Sequence, residues 1–214
     1  MSVVLYDFWR SSACYRVRIA LNLKGIAYAA VTTDLSKGQQ KNPDYVAKTA
    51  QGFVPMLEID GHRLTQSLAI CDYLDAKVPS PGFVPKDAAA RAKVLAMSLV
   101  IACDIHPVNN LRILKYLDDP LGVPQGARDD WYRHWIAEGF VALEAMAADA
   151  GTYLSGDEPG LADICLVPQM YNARRFDTDL TRFPTLVRID AALTALPAFA
   201  KAHPDAVKPD EPGR

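Results

Sequence analysis

Half of the 214 residues are apolar, 22% are charged and the formal net charge is -2, an ordinary globular composition with room for one or two domains. A near-neutral chain with no block of Lys and Arg is a poor match for a nucleic-acid binder, and no apolar run approaches the ~20 residues that span a bilayer. Neither nucleic acid nor membrane is therefore expected as a partner. The first residues meet Asp7 without a basic stretch, so they read as a strand and not as a signal peptide. Four scattered cysteines with no CxxC pair argue against a disulfide framework or a metal site and for a cytoplasmic location.

In chain order, residues 3–8 are β-rich and apolar and predict a strand buried on both faces. After the polar Arg10, Ser11 and Ser12, residues 14–24 space Val17, Ala20 and Leu21 as a helix does, and Gly25 supplies the position that ends it. A second strand is predicted at 26–33, then a polar loop with a short helix around 36–44. Asp60-Gly61, between apolar runs at 53–59 and 62–65, is a hairpin signal. Helical spacing returns at 66–76. Strand, helix, strand, helix, hairpin and helix together predict a small mixed sheet with helices on its faces.

Val78-Pro79-Ser80-Pro81-Gly82, with Pro85 shortly after, marks a domain boundary. The expected partition is a first domain at 1–78, a linker at 79–86 and a second domain at 87–214. No strand signal follows the linker. Residues 88–116, 129–150, 161–176 and 185–196 predict helices, and the Pro- and charge-rich tail after Pro204 is expected at the surface.

Several positions can carry chemistry. The first strand delivers residues 9–14 to a helix start, where orphan N–H groups and the helix dipole favour an anion such as a thiolate; Ser11 or Ser12 could equally be a plain cap. Pro55 opens the third strand, where a proline can mark a cis peptide, although most such bonds are trans. Ser67, after Gln66, either caps its helix or holds a carboxylate. Pro107 interrupts the helix predicted at 88–116 and predicts a kink that re-aims His106 and Asn110, which share a face at this spacing. Trp131, Tyr132, His134 and Trp135 read as helix packing.

These features fall within longer segments: residues 10–21 (RSSACYRVRIAL), Val54-Pro55, 66–70 (QSLAI), Gly156-Asp157, 161–169 (LADICLVPQ), 173–176 (ARRF) and 179–184 (DLTRFP). In order and over almost the whole chain, they resemble the zeta class of the glutathione transferases. The resemblance implies an α/β thioredoxin-like N-terminal domain plus an all-α C-terminal domain, the glutathione transferase fold, with glutathione as cofactor. It implies that Val54 pairs its backbone with the cysteinyl part of glutathione across a cis-Pro55. Gln66 and Ser67 would take the γ-glutamyl carboxylate and Gln51 would help along the peptide. Ser11 and Ser12 fall on the motif's serines, with Ser12 the first candidate for orienting the sulfur.

Ala13 stands where the animal isomerases of this class carry cysteine. Cys14, one place on and turned by about 100° on a helix, is expected to be a bystander thiol. His106-Pro107 with Asn109-Asn110 matches a run that faces the glutathione and substrate pocket in bacterial maleylpyruvate isomerases, but Leu111-Arg112 follows where they carry two arginines. Arg10 and Arg175 are candidates for holding substrate carboxylates, which suit a guanidinium fork. Gly160 occupies the place of a capping Thr three residues before Asp163, so Gly160→Thr is expected to stabilise the fold.

The class includes maleylacetoacetate isomerase and maleylpyruvate isomerase. The implied function is a glutathione-dependent cis–trans isomerase, first of all converting maleylacetoacetate to fumarylacetoacetate in aromatic amino-acid catabolism. A thiol added across a double bond conjugated to a ketone makes that bond free to rotate, and the thiol is recovered when it leaves. The substrate would be an unsaturated diketo acid, and the chain a two-fold homodimer. The alternatives are a maleylpyruvate isomerase, a general conjugating or dehalogenating transferase, and a non-catalytic interaction protein on the same fold.

Overall fold

The computed structural model describes residues 2–209 and resolves into two compact units. Among the described residues the first comprises 2–82 with 195–209, and the second Phe83–Thr194.

In the first unit, β1 (Val4–Asp7), α1 (Ser12–Leu23) and β2 (Ala29–Thr32) form a parallel β-α-β unit, with Leu5 paired to Ala30. A 3-10 turn at Gln39–Lys41 and the short α2 (Pro43–Val46) lead to β3 (Met56–Ile59), β4 (His62–Thr65) and α3 (Ser67–Lys77). The sheet order is β2-β1-β3-β4, antiparallel from β1 onward, with Leu57 paired to Leu5 on one side and Leu64 on the other. Asp60 and Gly61 both take positive φ, +52° and +80°, the left-handed pair that a two-residue hairpin turn requires.

Burial differs from the expected strands. In β1 Leu5 and Asp7 are buried while Val4 and Tyr6 are half-buried, and β2 is exposed along its length. An edge strand has no neighbour on its outer side, so its apolar residues are only partly covered.

The expected partition assigned everything from 87 onward to the second domain, yet residues 195–209 pack with the first unit. Asn22 of α1 donates to the Ala198 carbonyl (2.8 Å) and Arg18 to that of Ala202 (3.0 Å). Two short helices there, α9 (Pro197–Ala200) and α10 (Pro204–Val207), each start on proline, the residue suited to a first helical position. The tail expectation therefore holds a helical turn at its start, and residues 210–214 lie outside the described residues.

The second unit is helical among its described residues: α4 (Ala88–Leu99), α5 (Leu111–Asp118), α6 (Gln125–Met146), α7 (Leu161–Arg175) and α8 (Pro184–Thr194). Ile101, Ile136, Phe140, Ile164, Met170 and Leu186 are fully buried, and Phe140 meets Phe183 edge-on. The one helix expected at 88–116 is broken. After α4 the chain widens into a π segment at Val100–Ile105, where the His106 N–H donates to the Ile101 carbonyl (2.9 Å), because Pro107 can neither donate nor fit the preceding turn. Asn110 then starts a new helix as its cap, accepting from Arg112 N (3.2 Å). His106 and Asn110 consequently do not share a helical face.

Asp163, at the third position of α7, is fully buried and accepts from the backbone of Gly160 (3.0 Å), Leu154 (2.8 Å) and Ser155 (3.1 Å). A Cβ on Gly160 would lie 2.6 Å from the Phe83 carbonyl oxygen and 2.7 Å from Ser155 Oγ. The expectation that Gly160→Thr stabilises is thereby reversed: the missing half of the cap makes room for another stretch of backbone.

Candidate functional site

β1 ends at Asp7, and a short turn hands the chain to α1. Ser11 is the helix cap, extended at φ -72° and ψ 122°, with its hydroxyl oxygen accepting from Cys14 N (3.3 Å). Ser12 is the first helical residue and is buried, and no acidic side chain offsets the positive end of α1 in its first turn. Arg10 is exposed with its guanidinium 5.2 Å from the Trp9 ring centroid, and Lys208 approaches the same ring at 5.5 Å. The helix start is thus a cationic surface suited to an anion.

Cys14 belongs to the core instead. It is fully buried, and burial first, then the Asp7 charge, pushes its thiol far up against the pull of Arg18 and Ser11. A thiol held protonated is a poor nucleophile.

A second group of residues lies between β3 and α3. The Val54–Pro55 peptide is cis, and the Val54 backbone N–H and C=O bond to no other described residue. Gly52, with φ +60°, lets the preceding loop approach the Gln40 carbonyl so closely that a Cβ would sit 2.8 Å from its oxygen. Gln51 and Gln66 meet through Gln66 Nε2 and Gln51 Oε1 (2.6 Å). Gln66 takes φ +66°, an uncommon backbone for a residue with a Cβ. Ser67, buried, opens α3, whose first turn also carries no acidic side chain. Beneath it Arg16 Nη1 donates to Ser67 Oγ (3.3 Å).

The first unit therefore gathers Gln51, Val54, Pro55, Gln66 and Ser67, and separately Arg10, Ser11 and Ser12 at the start of α1. Free peptide groups, amide side chains, hydroxyls and two positive helix ends are the donors and acceptors that a small peptide with carboxylates requires. They fit glutathione.

Arg16 escaped the sequence reading. Its signal was a helix apolar on all sides, with Tyr15, Val17, Ile19 and Ala20 buried around two arginines, a pattern that forces those cations inward.

In the second unit Arg175 ends α7 with its guanidinium 4.6 Å from the Phe176 ring centroid. The Tyr132 ring stacks on Phe176 at 3.6 Å, and burial pushes its hydroxyl up while Arg175 draws it down through charge and a hydrogen bond. Tyr132 thus packs the helix, as its cluster predicts, and also bonds the arginine. His106 is half-buried, Arg112 is exposed, and the Asn110 side-chain oxygen is occupied at the start of α5. Among the described residues no three His, Cys, Asp or Glu side chains cluster as metal ligands would, and no helix is long and apolar enough to cross a membrane.

Residues 1–76 match the model of the glutathione S-transferase N-terminal domain. The maleylacetoacetate isomerase of Rhizobium meliloti (strain 1021) is 48% identical over 96% of this chain and 98% of its own length. A holo structure of maleylpyruvate isomerase, described as a bacterial zeta-class glutathione S-transferase, superposes with a TM-score of 0.94 at 43% identity, covering 96% of this chain and 98% of the other. A maleylacetoacetate isomerase from Methylobacterium extorquens AM1, solved with bound malonate and GSH, superposes with a TM-score of 0.92 at 39% identity, covering 95% and 97%.

Proposed function

Because this chain belongs to the glutathione transferases, in the zeta class that holds the maleylacetoacetate and maleylpyruvate isomerases, we propose that it is a glutathione-dependent cis–trans isomerase whose substrate is maleylacetoacetate. The full-length similarity to maleylacetoacetate isomerases is the observation that carries this reading. Glutathione is the cofactor; when bound it supplies a thiol that adds reversibly to a conjugated double bond.

The chain's own residues then have distinct tasks. The first turn of α1, with the hydroxyls of Ser11 and Ser12, favours sulfur as an anion. The Val54 backbone beside Pro55 takes the cysteinyl amide, and Gln51, Gln66 and Ser67 take the γ-glutamyl end. All of these belong to the first unit, which we assign as the glutathione-binding part. Arg10 is proposed for a carboxylate of the substrate, where a planar fork binds both oxygens, and Arg175 is a separate candidate for the same task. His106 serves substrate or glutathione binding, and Asn110 retains its Nδ2 donor for the same purpose.

The deciding experiment follows loss of the cis form of maleylacetoacetate and of maleylpyruvate with catalytic glutathione, with and without the protein. Acceleration of the first with glutathione unconsumed supports the reading; rates equal to glutathione alone for both reject it. Maleylpyruvate is the second reading, favoured by the superposition on the holo maleylpyruvate isomerase. Stoichiometric loss of glutathione would instead indicate a conjugating or dehalogenating transferase. A two-fold homodimer and a cytoplasmic location complete the proposal. Free thiols at all four cysteines support the reducing compartment; light scattering that returns the mass of one chain would reject the dimer.

A further inference from the structure

Arg16 and Arg18 lie two residues apart on α1 and are equally buried, 2% and 1% exposed, but their surroundings are opposite. Arg18 is fully engaged: Nη1 meets the Asp7 carboxylate (2.7 Å), Nη2 the Trp9 carbonyl (2.9 Å) and Nε the Ala202 carbonyl (3.0 Å). Arg16 forms no ion pair among the described residues, and its Nε and Nη2 have no acceptor. Its one hydrogen bond among the described residues runs from Nη1 to Ser67 Oγ.

A guanidinium cannot shed its proton at any physiological pH, and a buried charge without a counter-ion is unfavourable until one arrives. The place where that charge is felt is specific. Ser67 is the first residue of α3, an 11-residue helix whose positive end no acidic side chain offsets, so dipole and cation favour an anion at one spot. Because Ser67 Oγ already accepts from Arg16, its own hydrogen is left to donate to a ligand.

We propose that Arg16 is the positioning residue of the carboxylate subsite at the start of α3: it fixes the Ser67 hydroxyl as a donor and supplies the buried countercharge for the α-carboxylate at the γ-glutamyl end of glutathione. The inference rests on the first unit being a glutathione site. It couples binding to folding, since the ligand-free protein carries an uncompensated cation that the ligand's carboxylate neutralises. Arg16→Met removes the charge at similar length, so ligand-free stability is retained or raised. Arg18→Met breaks a satisfied buried pair and lowers Tm.

The test is calorimetric titration of wild type, R16M and R16K with glutathione and with the analogue whose γ-glutamyl residue is replaced by 4-aminobutyryl, which lacks only that carboxylate. R16M is expected to weaken glutathione by about 10- to 100-fold while leaving the analogue within about twofold, and R16K to recover part of the loss. In wild type, glutathione is expected to raise Tm more than the analogue does. If wild type binds glutathione but R16M loses both ligands alike, or neither, this inference fails by itself. Equal Tm shifts from the two ligands on wild type overturn it too, whether or not R16M folds. Wild type that binds no glutathione rejects the cofactor reading and this inference with it.

Discussion

Cys14 sits next to Ser11 and Ser12, yet it belongs to the core. Its side chain faces the core, and burial holds the sulfur protonated. Cys14→Ala is therefore expected to keep isomerase activity within about twofold, since it removes an inert buried thiol. Alkylation of the folded protein should modify Cys103, which is exposed, and spare the buried Cys14, Cys71 and Cys165; rapid native modification of Cys14 by mass spectrometry would contradict this. Gly160 is the opposite lesson. Capping chemistry favours a Thr there, but the Phe83 carbonyl and Ser155 fill the space. Gly160→Thr is expected to cost about 1–3 kcal/mol through overpacking, read as a lower urea midpoint with unchanged slope. Serines, glutamines and the cis-proline were legible because local motifs carry them. The partners of Arg16 and the neighbour of Gly160 were not, because 51 residues separate Arg16 from Ser67 and Phe83 lies far from Gly160 in the chain.

At the scale of elements, most helices and every strand of the sheet follow from periodicity and turn residues, and the Asp60-Gly61 hairpin appears where its pair of residues places it. The failure is at the Pro107 region, where one predicted helix becomes α4, a π segment and α5. Proline announces a disruption but does not say whether the helix bends, widens or stops. The outcome depends on packing against α6: a Cβ on Gly139 would lie 2.3 Å from Ile105 Cγ1, so the π segment rests directly on that glycine. Gly139→Ala is expected to cost about 1–3 kcal/mol. Shortening the opposing side chain with Ile105→Val should recover part of it, a coupling that a double-mutant cycle in denaturant measures. Additive losses would show that the two residues do not share this contact.

Across the whole molecule, charge is arranged so that acid weakens it. Hydrogen bonds hold Asp34, Asp60, Asp149 and Asp179 below the usual carboxylate range, from Ser36, Lys77, Lys93 and Thr181 respectively. A carboxyl whose folded pKa is depressed contributes stability that is present above its unfolded value of 3.8 and lost as pH falls through the folded value. Tm should thus fall as pH drops below about 4. Asp60→Asn, which removes the charge that pairs with Lys77 and strengthens the bonds accepted from Lys77 and Tyr73, should lower Tm near neutrality and converge on wild type in strong acid. Burial pushes Asp163 the other way, so a Tm that rises between pH 5 and 3 would mean that this one buried group outweighs the other four.

By itself the sequence determined the class of this protein: a mixed sheet followed by helices, the serines at the first helix start, the Val54–Pro55 turn, the Gln66–Ser67 pair and the glutathione-dependent chemistry they imply. These are local patterns, each carried within a few residues, and such patterns survive being read in one dimension. Only the tertiary structure decided which groups are left without partners and which are satisfied. It returned residues 195–209 to the first unit, placed Arg18 against Asp7 and the Ala202 carbonyl, and left Arg16 with Ser67 as its one partner among the described residues. Two arginines with the same spacing, helix and burial differ in role because compensation of a buried charge is set by contacts remote in the chain, and no local pattern encodes those.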